Sequence, residues 1–171
     1  TFDVATDSHV YADLDGNTAI ATIGADIAAS KGIFVCNSAG NEGGSAWNFI
    51  GVPADGDSVC AVGAVNSTGV KAGFSSFGPS ADGRIKPDLS AQGQSTVLAN
   101  PSSNIVTTSS GTSFSSPVMA GAVACLWQAN PTKTNMDLLS SMKQTGSQAS
   151  APDNNLGWGI PNFCTASALL N

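Results

Sequence analysis

The sequence predicts an α/β fold with parallel strands, and three features carry that expectation. From Asn17, the residues Ile20, Ile23, Gly24 and Ile27 fall at helical spacing, and Lys31-Gly32 supplies a C-terminal stop. Two continuous apolar runs follow, Ile33-Phe34-Val35-Cys36 and Val59 to Val65, as in strands buried on both faces. Helix, buried strand, loop and buried strand, in that order, is the pattern of a parallel sheet with helices packed on it.

The remaining elements follow from local signals. Residues 1–16 are polar and carry Asp3, Asp7, Asp13 and Asp15, which predicts a loop. A glycine-rich loop, Ala39 to Ser45, separates the two apolar runs. The stretch from Asn66 to Thr108 is punctuated by Phe77-Gly78-Pro79, Asp82-Gly83, Lys86-Pro87-Asp88 and Asn100-Pro101. Short strands are expected between these turns at Gly73–Phe77, Asp88–Ala91, Ser95–Leu98 and Ile105–Thr108. Ser113 to Ala129 is the strongest helix, with Pro117 placed in its first turn, where a missing N–H does no harm. A second amphipathic helix spans Asn135 to Lys143, and a last short helix ends at Leu170. Without repeats or a linker, the 171 residues read as one compact piece.

Composition narrows the function. Glutamate occurs once, at Glu42, against 11 aspartates, and serine occurs 23 times, so long exposed helices of a coiled coil or solenoid are excluded. The net charge is −6 and Arg84 is the single arginine. Six scattered cations cannot build the basic face that displaces counterions from nucleic acid. The apolar run Ala120 to Trp127 is too short to span a bilayer. Cys36, Cys60 and Cys125 sit in apolar stretches and read as small buried hydrophobes, while the absence of a CxxC pair removes support for zinc or thioredoxin-like chemistry.

Phosphate-binding GxGxxG and GxxxxGK[ST] patterns and the nucleophile elbow GxSxG are absent. The chain does hold Ser109-Ser110-Gly111-Thr112-Ser113-Phe114-Ser115-Ser116-Pro117, leading into a helix whose face is small: Ala120, Gly121, Ala122, Ala124. A serine at a buried helix N-terminus has the positive end of the dipole and free N–H groups beside it, which favour a nucleophile and an adjacent oxyanion. The plainer alternative is that Ser113 or Thr112 merely caps the helix. Upstream, Val35-Cys36-Asn37-Ser38-Ala39-Gly40-Asn41-Glu42-Gly43 brings a polar tip and a glycine loop to the carboxyl end of a strand, where open α/β sheets place ligands. Asn41 there could offer a side-chain amide to developing negative charge, or close an ordinary Asn-Gly turn.

SAGNEG, VCAVGAV, FSSFGP, KPDLSAQG and SSGTSFSSPVMAGAVA, in this order, resemble the C-terminal part of the subtilisin-like serine proteases, the subtilases. The resemblance runs from about Asn17 to Trp127. It implies a parallel-sheet subtilisin-like fold, with residues 1–171 as the C-terminal portion of one catalytic domain. It implies that Ser113 is the nucleophile, that Asn41 and the Ser113 N–H form the oxyanion hole, and that Thr112 assists there. Ser38, Ala39 and Gly40 match one wall of the pocket for the substrate side chain preceding the cut, and Gly51 matches its floor. The implied partner is a polypeptide substrate, hydrolysed through an acyl-enzyme without a cofactor. Structural calcium is common in the family, and the early aspartates could supply oxygen ligands, although EF-hand spacing is absent and solvated turns explain them as well.

The chain departs from the family pattern at Gln92, where proline is frequent, at Val118-Met119, where His-Val is frequent, and at Ser115, where alanine is usual. More consequential is the catalytic base. Subtilases carry Asp, then His, then Ser, and the lone histidine here, His9, lacks the glycines and threonine of the family motif. The expectation is that Thr1 begins a fragment of a longer secreted protease whose aspartate and histidine lie upstream, and that the fragment alone is inactive. A non-catalytic subtilase-like scaffold that binds polypeptides is the alternative.

Overall fold

The computed structural model describes residues 8–171. Its elements are α1 (Ile20–Ser30), β1 (Cys36–Ser38), β2 (Cys60–Val65), β3 (Leu89–Gln92), β4 (Thr96–Ala99), β5 (Val106–Ser109), α2 (Thr112–Ala129), α3 (Asn135–Gln144) and α4 (Phe163–Leu170). Strands β1, β2 and β3 form a parallel sheet in that order, and β4 and β5 form a separate antiparallel pair. The α/β class and the parallel sheet are therefore as predicted. In register, Cys36 faces Cys60 across β1–β2, and Val62 faces Leu89 across β2–β3.

Alternation along β2 divides the interior in two. Cys60 and Val62 join Leu89, Met119, Val123, Leu126, Leu138 and Met142 in a core under α2 and α3. Ala61, pointing the other way, joins Leu14, Ala39, Ile50 and Ala54. Strand β2 is buried along its whole length, as its unbroken apolar run requires.

Several expectations need correction. The first strand begins at Cys36, not Ile33, and is only half-buried, because among the described residues β1 is a sheet edge that pairs with β2 alone. Ile33 is exposed. Gly73–Phe77 forms no strand beyond a single bridge from Phe77 to Phe49. Helix α1 forms where its periodicity says, but its isoleucines do not enter the core: Ile20 is 86% exposed, and Ile23 and Ile27 are exposed as well. The helix is held from its opposite side by Thr22, whose buried hydroxyl donates to the buried Asp55 carboxylate at 2.7 Å, while Gly16 N–H donates to the same carboxylate at 3.0 Å. Pro117 lies in the second turn of α2, not the first, since the helix starts at Thr112. Cys60 is buried, but Cys125 is exposed and Cys36 half-buried.

One ionic cluster ties these layers together. Lys86-Pro87-Asp88, a turn by its sequence, places Lys86 and Asp88 in the interior, each 2% exposed. Lys86 Nζ donates to the Gly56 and Val59 carbonyls at 2.7 and 3.1 Å and to Asp88 Oδ2 at 2.8 Å. Asp88 Oδ2 also accepts from Ala61 N–H in β2, and Asp88 Oδ1 meets Lys143 Nζ of α3 at 2.6 Å. Burial pushes the Asp88 carboxyl up, but Lys86 and Lys143 outweigh it and hold it below the ordinary carboxylate value.

A carboxyl depressed in the folded state contributes stability that is present above its unfolded pKa of about 3.9 and is lost as pH falls through the folded value. Asp88→Asn should destabilise the intact protein by about 3–5 kcal/mol by leaving Lys86 buried beside a neutral group. It should also flatten the acid limb of the stability curve, as urea midpoints between neutral pH and pH ~2 would show.

Candidate active site

The carboxyl end of β1 and the amino end of α2 meet, and glycines allow it. Gly93, following β3, accepts from Gly111 N–H at 2.8 Å, and a Cβ on Gly93 would lie 2.7 Å from Ala64 Cβ and 2.8 Å from the Gly111 carbonyl. Gly40 has φ +117°, a left-handed conformation that side chains disfavour, and a Cβ there would press on Ser76 Oγ. On the far side, Ser76 Oγ accepts from Glu42 N–H, and Gly43 N–H donates to the Phe74 carbonyl. Phe74–Phe77, expected as a strand, therefore braces the Asn41 loop instead.

Asn41 is fixed by α2. Its Oδ1 accepts from Thr112 N–H at 2.8 Å and from the Thr112 hydroxyl at 3.0 Å. Gly40 N–H donates to the same hydroxyl at 3.2 Å. With Oδ1 so engaged, the Nδ2 donor is turned toward Gly111, where a Cβ would stand 3.5 Å from it. Thr112 is buried and reaches this locus through Asn41.

Ser113 is exposed, not buried as the helix N-terminus led one to expect. The plain capping alternative fails: the N-cap is Gly111, without a side-chain cap bond, and the first free N–H of the helix goes to Asn41. Neither the hydroxyl nor the N–H of Ser113 has a hydrogen-bond partner among the described residues. A helix start leaves such N–H groups open and carries positive partial charge. The locus thus presents an exposed hydroxyl, an open backbone donor and a clamped amide donor.

Ala39 is buried, with its N–H on the Val62 carbonyl and its own carbonyl taking Gly51 N–H at 3.0 Å. Ser38 is the last residue of β1 and is half-buried. A cavity of about 290 Å³ is lined by Gly51, Val52, Trp47, Glu42, Leu14 and His9, and a Cβ on Gly51 would meet open space. Ser38, Ala39 and Gly40 are not among its lining residues. His9 Nδ1 stands 3.6 Å from Asp13 and its ring borders this cavity.

The subtilase family model matches residues 5–159. The chain belongs to the subtilase family. It is 39% identical over 131 residues to Subtilisin NAT of Bacillus subtilis subsp. natto, covering 76% of this chain and 32% of that protein. To Subtilisin DY of Bacillus licheniformis it is 39% identical over 147 residues, 85% of this chain and 47% of that one. The chain therefore spans between about a third and a half of these curated relatives. The structure of the self-cleaved protease domain of PatA superposes with a TM-score of 0.71 at 24% identity, over 85% of this chain and 52% of that chain, a likeness of fold.

The family departures are absorbed locally. The buried Ser115 hydroxyl donates to the Thr112 carbonyl at 3.0 Å, Met119 fills the core beneath the sheet, and Gln92 Nε2 reaches the Gln94 and Ser95 carbonyls. Among the early aspartates, Asp13 accepts from Val10 N–H and Asp15 accepts from the Asn17 and Thr18 N–H groups. Asp3 and Asp7 lie outside the described residues.

Gly93→Ala should cost the intact subtilase about 1–3 kcal/mol through overpacking against Ala64 and Gly111. The expected reading is a lower urea midpoint at unchanged slope.

Proposed function

We propose that the chain supplies the nucleophile and oxyanion side of a serine endopeptidase whose general base lies outside these 171 residues. The carrying observation is the clamped Asn41 amide beside the exposed Ser113 and its open N–H. In this reading Ser113 Oγ attacks the peptide carbonyl carbon and its proton passes to the external histidine. Asn41 Nδ2 and the Ser113 N–H receive the oxyanion. The C–N bond then breaks, the histidine returns its proton to the leaving amine, and water hydrolyses the acyl-enzyme. Gly51 and its cavity receive the substrate side chain before the cut, while Ser38, Ala39 and Gly40, joined to Gly51 through the Ala39 carbonyl, flank it without lining it. No cofactor is needed for these steps, and a structural calcium, if bound, would act on folding.

The surface supports a missing upstream portion as the occupant of the open faces. Ile20, Ile23 and Ile27 form an exposed apolar stripe on α1, and among the described residues β1 has a free edge. A groove of about 430 Å³ runs between residues 32–34 and Ala120, Val123, Ala124 and Trp127 of α2. Subtilisin NAT has roughly two-thirds of its length beyond the matched stretch to cover such faces. Secretion accompanies this reading, as the resemblance implies.

A fluorophosphonate probe on the longest native polypeptide should label Ser113, and Ser113→Ala should abolish both label and peptidase activity. Asn41→Ala should lower kcat by about 10²–10³, a range known from a subtilisin, with little change in KM. The 171-residue chain alone should not label, and His9→Ala in the long form should leave labelling unchanged. Absence of label in an active long form would remove Ser113 from the chemistry. Absence of both label and activity would favour the polypeptide-binding scaffold.

A further inference from the structure

The sheet that positions Asn41 also holds two thiols that peptide hydrolysis does not use. Cys36 and Cys60 are register partners across β1–β2. Neighbouring strands lie about 4.8 Å apart, within the Cα separation of about 4.4–6.8 Å that a disulfide bridges. Cys36 also packs against the buried cluster that contains Cys60. Cys36 has a second neighbour in α2: its Sγ–H contacts the Ser116 carbonyl at 3.4 Å, and the Ser116 hydroxyl contacts its sulfur at 3.6 Å. Ser116 lies one turn beyond Ser113. As a thiol, Cys36 is therefore a tether between β1 and the start of α2.

The pair is unequal. Cys60 is buried at 1% exposure, whereas Cys36 sits on the half-buried edge strand. The neighbouring Cys60 thiol draws the Cys36 thiol down against the effect of burial, while Cys36 and burial push Cys60 up. The more acidic sulfur is thus the one nearer solvent.

We propose that Cys36 and Cys60 are a redox-active pair that closes a cross-strand disulfide on meeting a peroxide and frees Ser116 from β1. The Cys36 thiolate attacks a peroxide oxygen; the O–O bond breaks, a sulfenic acid forms, and the departing hydroxide takes a proton to become water. Cys60 sulfur then attacks the sulfenic sulfur, the S–S bond forms, and the second oxygen leaves with the Cys60 proton as water. Two thiols and one hydrogen peroxide give one disulfide and two waters. The inference rests on the sheet and stands apart from the protease reading.

The test uses the full-length protein carrying Cys125→Ser and Cys164→Ser, which removes the two exposed thiols. After treatment with hydrogen peroxide and alkylation, digestion without reductant should yield a Cys36–Cys60 linked peptide lighter by two hydrogens, split again by dithiothreitol. Cys36→Ser and Cys60→Ala should each abolish it, and if Cys60→Ala does not fold, Cys36→Ser at its half-buried site is the control. Amide exchange over residues 113–118 should quicken on oxidation as the Ser116 tether is lost. Sulfinic or sulfonic acid on Cys36 with Cys60 still alkylatable, or both thiols unchanged, would overturn the proposal.

Discussion

The buried Asp88 carboxylate is the constraint around which the described structure is organised. Its two oxygens take Ala61 N–H, Lys86 and Lys143, and its backbone takes part as well: Asp88 N–H donates to the Ala61 carbonyl and its carbonyl accepts from Trp158 N–H. One residue, through side chain and backbone together, therefore joins β2, the start of β3, α3 and the segment leading to α4. Lys86 extends the reach to the Gly56 and Val59 carbonyls, which lead into β2. A buried ion pair is weak evidence for net stability, but losing one partner leaves an uncompensated charge, so the arrangement holds as a unit.

From that anchored sheet the site follows by short steps. β2 fixes β1 through register, and β1 ends in the glycine loop that carries Asn41. Asn41 then satisfies the first N–H of α2, so the loop and the helix start fix one another. The Ser75–Ser76 segment closes the ring from outside: Ser75 Oγ accepts from Ala64 N–H in β2 while Ser76 Oγ accepts from Glu42 N–H in the loop. Pieces far apart in sequence are held by side chains acting on backbone groups, the arrangement that keeps buried polar atoms satisfied where strands are short.

How much of this the chain announces depends on whether the signal is local. The apolar run of β2 and the length of α2 are properties of neighbouring residues and were legible. The family resemblance named Ser113 and Asn41 as candidates, but the bond from Thr112 N–H to Asn41 across 71 residues had no local signal. The isoleucines of α1 misled because periodicity reports that a helix has an apolar side, not that this side is buried. Lys86 and Asp88 were missed because Lys-Pro-Asp looks like a surface turn, and charged residues are seldom buried unless paired. The pairing partner, Lys143, lies on another element.

Pro117 gives α2 an unusual mechanical character. A proline at this position has no N–H for the carbonyl four residues back, which is that of Ser113, and its ring crowds the same carbonyl. The ladder that would lock Ser113 to the body of the helix is therefore missing a rung at that residue. Asn41 on Thr112 and Cys36 on Ser116 bracket the gap from β1. The serine is consequently tied to β1 and its following loop through the residues on either side of it, as well as to the helix it begins.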